Sequence, residues 1–273
     1  MTELIVLISD ALPTRYEGAS HGFAVQPLGV PHKIAIEDYF DKRNQRTTFP
    51  ASAFVIRMPA AGERVAQNNP SILLAEFALT LLATGGHPKL SFASLFRKGK
   101  CIDCTQLPSA LWSFATPQFV SRINEDAAAQ WVCRCSMAHK TNGDRIDIAA
   151  RRFVRFSRFV DPADALLDLC ISLESLLNSQ TEVSFRFGLS LAKLIGLNGA
   201  GAQSTAELLG NLYKLRSKLA HGDPGAHKLL SQMQADLPKI RKIAREILVR
   251  YVLYLGDHSR REWDEHLETC IYS

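Results

Sequence analysis

The chain has 273 residues, enough for one large domain or two ordinary ones. Apolar residues make up 47% and charged residues 22%, which allows a buried core and excludes an intrinsically disordered chain. The formal charge of +5 suits a nucleic-acid partner without demanding one.

Six cysteines in a chain that starts without a basic leader or a long apolar run imply reduced thiols in a cytoplasmic protein. The longest apolar stretch, 72–83, contains Glu76 and is too short to cross a bilayer, so no membrane is expected.

The expected fold class is α+β. Residues 1–143 form a mixed α/β module and residues 144–256 an all-α bundle, with a tail at 257–273. In the first module, short apolar runs bounded by turn residues predict strands at 5–8, 22–28, 53–58 and 90–95. Asn69-Pro70 opens a helix over 71–82, and Thr116-Pro117 opens another with Phe119, Val120, Ile123, Ala127, Trp131 and Cys135 at helical spacing.

The second half reads as helical throughout. Over 144–159, Ile148, Phe153, Phe156 and Phe159 alternate with Arg145, Arg151, Arg152, Arg155 and Arg158. Asp161-Pro162 is a helix start, since the carboxylate caps orphan amides and proline loses no bond at the first helical position. The helix that follows buries Leu166, Leu169, Cys170, Leu173, Leu176 and Leu177. A third helix over 182–195 ends at Gly196. Ser204-Thr-Ala-Glu207 reads as a capping box for a helix with Leu208, Leu209, Leu212, Leu215 and Leu219 inside, stopped by Gly222. From 226 to 255 run one long helix or two, with Pro238 kinking or restarting the chain and Asp236 as a cap. The tail has Trp263 and Leu267 as anchors and either docks or frays.

Arg216-Ser-Lys-Leu-Ala-His221 is the candidate chemical motif. Its spacing recurs at Arg134/His139 and Arg261/His266, so framing separates it: the arginine stands in the last turns of a well-capped helix, and the histidine precedes a C-cap glycine. RNA carries its own nucleophile, the 2′-hydroxyl. A group titrating near neutrality can move its proton, and a planar guanidinium can stabilise the phosphorane. The plainer alternative is that Arg216 pairs a carboxylate and His221 interacts with a helix C-terminus. Glu174 lies on an apolar stripe and needs a partner; Arg186 and Arg216 are the candidates, either to orient the clamp or to tie two helices together.

Three segments in order resemble HEPN domains, especially the Apea-like branch. They are Leu166-Leu-Asp-Leu-Cys-Ile-Ser-Leu-Glu-Ser-Leu-Leu177, Phe185-Arg-Phe-Gly-Leu-Ser-Leu-Ala192 and Leu212-Tyr-Lys-Leu-Arg-Ser-Lys-Leu-Ala-His-Gly222. The resemblance covers about 144–256 and nothing before it. It implies an all-α HEPN bundle that forms a homodimer, with two Arg/His pairs in one cleft. It also implies metal-independent RNA cleavage, often in defence or toxin systems. Arg216 and His221 match the catalytic pair. Ser217 stands where active members commonly have Asn, Asp or His, and Gly222-Asp223-Pro224 replaces the tyrosine that follows the histidine in some toxins.

Lys214, Lys218, Lys239, Arg241, Lys242 and Arg245 are the candidate RNA contacts, as is the arginine row at 145–158; such rows also form ordinary solvated faces. Cys101, Cys104, Cys133 and Cys135 present two close pairs. The first has acceptable zinc spacing, but the second falls in a helix where Cys135 already serves the apolar stripe, so no metal or other cofactor is expected. Asp10, His21 and Glu37 form no recognisable catalytic set, and the chain has no phosphate-binding loop, dinucleotide signature or nucleophile elbow. The first module is expected to sense a trigger, bind a protein partner or select substrate.

Overall fold

The computed structural model describes residues 2–9, 18–20, 23–27, 30–43, 53–59, 65, 69–82, 89–106, 125–158, 161–177, 183–196 and 199–272. The chain is mostly helical with an antiparallel sheet, and it divides into two units, Met1–Ser136 and Met137–Ser273.

In the first unit the strands are β1 (Thr2–Ser9), β2 (Gly18–Ser20), β3 (Phe23–Pro27), β4 (Ala53–Pro59), β5 (Lys89–Arg97) and β6 (Lys100–Gln106). They form one antiparallel sheet in the order β2-β3-β4-β1-β5-β6. β1 is interior, with Ile5 opposite Arg57 on one side and Ser94 on the other. Its apolar run Leu4-Ile-Val-Leu-Ile8 is rich in β-branched residues, which favour strands. Lys98 and Gly99, both at positive φ, make the two-residue turn whose twist matches a β5–β6 hairpin. The β6 and β2 strands and helix α1 (Val30–Asp41) are additional to the elements expected from the sequence.

Helix α2 (Pro70–Leu82) begins where Asn69 announced it: the Asn69 side chain accepts from the Ser71 amide at 2.9 Å. The second helix predicted for this half begins, in the described residues, at Glu125; Thr116, Pro117, Phe119, Val120 and Ile123 lie outside them, as do Asp10 and His21. Among the described residues no helix is long and apolar enough to cross a membrane.

Helix α3 (Glu125–Arg158) carries one non-helical residue, Asn142, at φ −148° and ψ 59°. The division between the units falls inside this helix, shortly before Asn142, whereas the sequence places it just after. The second unit then comprises the rest of α3 with α4 (Pro162–Glu174), α5 (Val183–Leu194), α6 (Gly199–Ala220), α7 (Ala226–Ala235), α8 (Leu237–Asp257) and α9 (Arg260–Tyr272). Its core holds Phe153, Phe156, Leu166, Leu169, Cys170, Leu173, Leu212, Leu215, Ile247 and Tyr251, all at most 1% exposed. Asn142 is itself buried, and its side-chain amide donates to the Tyr251 hydroxyl at 3.0 Å.

Local signals and packing sometimes disagree. Asp161 caps α4 as expected, accepting from the amides of Ala163 and Asp164. Ser204-Thr-Ala-Glu207 does not act as a capping box: α6 starts at Gly199, and Ser204 is an exposed residue within it. Ala202 and Thr205 are buried on this early turn, so side-chain burial carries the helix back beyond the local start signal. Ile148 is 46% exposed, not core. Pro238 restarts the helix as α8, but Asp236 provides no side-chain cap. The tail is helical: Trp263 is fully buried, and its indole N–H reaches the Leu176 carbonyl at 2.8 Å. Phe159 lies outside the described residues.

Candidate functional site

Helix α6 positions Arg216 and His221 by different means. Leu208, Leu209, Leu212 and Leu215 bury one stripe of the helix, and Arg216, next to Leu215, is left at the edge of that stripe with its side chain 34% exposed. Its Nη2 lies 3.5 Å from Oε2 of Glu174, the last residue of α4. Of the two partners considered for Glu174, the structure brings Arg216 to it; the Arg186 side chain lies outside the described residues. Both members of the ion pair keep solvent access, so the pair orients the guanidinium without burying it.

His221 sits at the end of α6. Its amide donates to the Ser217 carbonyl at 3.1 Å. Gly222, at φ 66°, then turns the chain into the left-handed region, which glycine adopts without a Cβ penalty. The Gly222 amide donates to Leu219 and the Asp223 amide to Lys218, the paired pattern of a Schellman cap. His221 is exposed. Among the described residues no hydrogen bond joins its imidazole to Arg216; the two share the end of one helix.

Other groups cluster around the Glu174–Arg216 pair. Tyr213 stands one turn before Arg216, and its ring packs on Phe187 at 5.5 Å between centroids. Burial raises the Tyr213 phenol above its ordinary value; the Glu174 carboxylate raises it further, and the Arg216 charge opposes both. Cys170 is pushed up by burial, with the same carboxylate and guanidinium acting on it in opposite directions. In the sequence, only its i−3 relation to Arg216 marks Tyr213.

The candidate RNA contacts divide. Lys214 on α6, and Lys239, Arg241 and Lys242 on α8, are exposed; Arg245 is half-buried. The Arg241 guanidinium lies 5.1 Å from the centre of the Phe156 ring, a cation–π distance. Lys218 is engaged: its ammonium meets Asp223 Oδ2 at 2.6 Å while Oδ1 takes the Gly225 amide. The lysine, then the amide, hold the Asp223 carboxyl below its ordinary value. Lys218 thus secures the turn after His221.

Arg145, Arg152 and Arg155 of the arginine row are paired with carboxylates, although only Arg145 is buried. Arg145 makes a forked contact with Asp264 at 2.7 and 3.4 Å. Arg152 and Arg155 meet the buried Asp168 at 2.5 and 3.2 Å. Periodicity showed the positive charges but not the carboxylates that face them from α4 and α9. The two other Arg/His spacings are framed differently. His139 lies 3.1 Å from Asp147, and Arg261 pairs with Glu265.

Among the described residues no group of three or more His, Cys, Asp or Glu side chains can hold a metal ion. Cys101 and Cys104 lie on β6, Cys133 and Cys135 on α3, and the four do not converge. Glu37, on α1, is exposed. Compared with protein-family models, with curated proteins and with solved structures, the chain matches none.

Proposed function

We propose that this protein is a HEPN-type endoribonuclease that cleaves RNA without a metal, leaving a 2′,3′-cyclic phosphate and a 5′-hydroxyl. The observation that carries the proposal is the end of α6: a solvent-accessible guanidinium oriented by Glu174 on a neighbouring helix, followed by an exposed imidazole at a rigid helix cap. His221 acts as general base or acid on the 2′-hydroxyl and the leaving oxygen. Arg216 clamps the phosphate as negative charge builds on it. Ser217 supplies a hydroxyl beside the pair.

The three sequence segments that resemble HEPN domains support the same reading, and they extend it to a cytoplasmic homodimer with two Arg/His pairs facing one RNA strand, in a defence or toxin setting. Lys214, Lys239, Arg241 and Lys242 provide exposed charge for the backbone. The first unit senses a trigger or partner.

Incubating the purified full chain with RNA in EDTA tests this. Wild type should release fragments ending in cyclic phosphate, and Arg216→Ala and His221→Ala, each folded by circular dichroism, should not. Binding of RNA with no cleavage would overturn the enzyme and leave a non-catalytic adaptor, the role for which Ser217 speaks.

A further inference from the structure

The β5–β6 hairpin contains a pair of thiols that the proposed nuclease chemistry does not use. In the register of this hairpin Ser94 faces Cys104 and Leu95 faces Asp103, but Phe96 faces Cys101. Ile102 is therefore an extra residue, a β-bulge. The bulge has a direct consequence for the cysteines. In a regular strand, residues three apart point to opposite faces. With one residue bulged out, Cys101 and Cys104 share a face, since their partners Phe96 and Ser94 are two apart on β5. Both pack against the same cluster as Ile36, Phe40 and Phe96, with Cys104 buried and Cys101 partly so.

Both thiols thus lie on one face of the same strand and against one apolar cluster. Cys101 Sγ also lies 3.5 Å from the Asp103 carbonyl oxygen, and the Ser94 hydroxyl is 3.0 Å from Cys104 Sγ. We propose that Cys101 and Cys104 are a reversible disulfide site, with Cys104 attacked first by a hydroperoxide and Cys101 as the resolving thiol.

The Ser94 hydroxyl, 3.0 Å from Cys104 Sγ, distinguishes the two thiols in the way this order requires. Hydrogen bonds from Cys101 and then Ser94 hold Cys104 below the ordinary thiol value in spite of its burial. Donating to Cys104, together with burial, raises Cys101. A thiolate is the nucleophile toward peroxide. The Cys104 thiolate takes the terminal oxygen of the hydroperoxide, the O–O bond breaks, and the released alkoxide or hydroxide takes a proton, leaving a sulfenic acid. Cys101 sulfur then attacks the Cys104 sulfur; its proton and the sulfenic hydroxyl leave as water, and the S–S bond forms. Two thiols and one hydroperoxide give one disulfide, one alcohol or water, and one water. Because the bulge sets both side chains on one face of the same strand, closure is a movement within the hairpin. The ring formed encloses Asp103, which accepts from the Tyr39 hydroxyl of α1 at 2.8 Å and from the Val65 amide at 2.6 Å, so the oxidised hairpin changes the anchoring of α1.

Trypsin cuts after Lys100 and Arg122, which places both cysteines in the single peptide 101–122 and the other four elsewhere. The reduced full chain is treated with near-stoichiometric hydrogen peroxide, blocked with iodoacetamide and digested. The expected peptide 101–122 carries no alkyl group and has lost two hydrogens, while Cys133, Cys135, Cys170 and Cys270 remain alkylated. Dithiothreitol before blocking restores both alkyl groups. In Cys101→Ser, dimedone should label Cys104; in Cys104→Ser, it should leave Cys101 unlabelled. A wild-type peptide alkylated at both cysteines, or cross-linking to other cysteines as readily as within the pair, overturns the site. Equal dimedone labelling in the two variants overturns the order of attack.

Discussion

The indole nitrogen of Trp263 donates a 2.8 Å hydrogen bond to the carbonyl oxygen of Leu176, 87 residues earlier in the chain. The same ring meets Tyr251 edge-on at 4.7 Å. A fully buried tryptophan that also satisfies a carbonyl near the end of α4 makes α9 part of the core. Trp263→Ala should therefore cost about 3–5 kcal/mol. Trp263→Phe, which keeps most of the packing but leaves the carbonyl unpaired, should cost about 1–3 kcal/mol. Urea denaturation followed by circular dichroism measures both. An alanine variant as stable as wild type would mean that α9 is only an appendage.

Two glycines predict opposite outcomes for the same substitution. A Cβ on Gly188 of α5 would lie 2.5 Å from the Ala206 carbonyl oxygen of α6, and backbone cannot swing away as a side chain can. Gly210 of α6 has nothing within 4 Å of that position. Gly188→Ala should destabilise by about 1–3 kcal/mol through overpacking. Gly210→Ala should stabilise by about 0.5–1 kcal/mol through helix propensity. Parallel melts of the two variants decide it; stabilisation by Gly188→Ala would show that α5 and α6 do not approach so closely.

These helices also show what the sequence made legible. Local signals with one physical reading were reliable: Asp161 before Pro162, Asn69 before Pro70, and Gly222 after a helical stripe each match their observed roles. Glu174 was singled out because a carboxylate on an apolar stripe needs a partner, and that argument leads to Arg216. Signals that compete with packing failed. The serine at 204 has the pattern of a cap, yet burial of Ala202 and Thr205 carries the helix through it. Other relations between distant segments left no trace. Nothing in the arginine row announced Asp168 or Asp264 as its partners, and nothing near Gly188 announced Ala206. The β-bulge that unites Cys101 with Cys104 depends on register across the hairpin, which spacing alone does not report.

For the proposed nuclease, the Glu174–Arg216 contact predicts a graded series. His221→Ala should lower the cleavage rate by about 10²–10⁴-fold, the usual contribution of a general acid or base. Arg216→Lys should not restore activity, because a point charge does not reproduce the planar fork. Glu174→Gln should fall between wild type and Arg216→Ala, since the guanidinium remains but loses the carboxylate that orients it. Initial rates on a single labelled RNA, with each variant checked for folding, test the order. A Glu174→Gln enzyme as fast as wild type would reduce the pair to a structural tie.

Acid should loosen the α8–α9 corner through His266. Tyr254 is stacked between two imidazoles, His258 at 4.2 Å and His266 at 4.8 Å, with Trp263 against the same ring and Cys270 Sγ 3.8 Å from His266 Nε2. Burial, then the neighbouring His258 charge, lowers the His266 value below its ordinary 6.5. The folded state thus prefers the neutral ring. Between the lowered folded value and the ordinary one the unfolded chain binds more protons, so stability rises with pH through that window. The contribution is fully present above about pH 6.5 and is lost as pH falls through the folded value. Glu262, held below its ordinary value by Ser259, loses its contribution only in more acidic solution, below the ordinary carboxylate range. Urea midpoints at about pH 7.5 and about pH 5.5 should therefore differ more for wild type than for His266→Phe, which keeps the stacking but cannot take a proton. Equal differences in the two proteins would show that His266 does not sense pH.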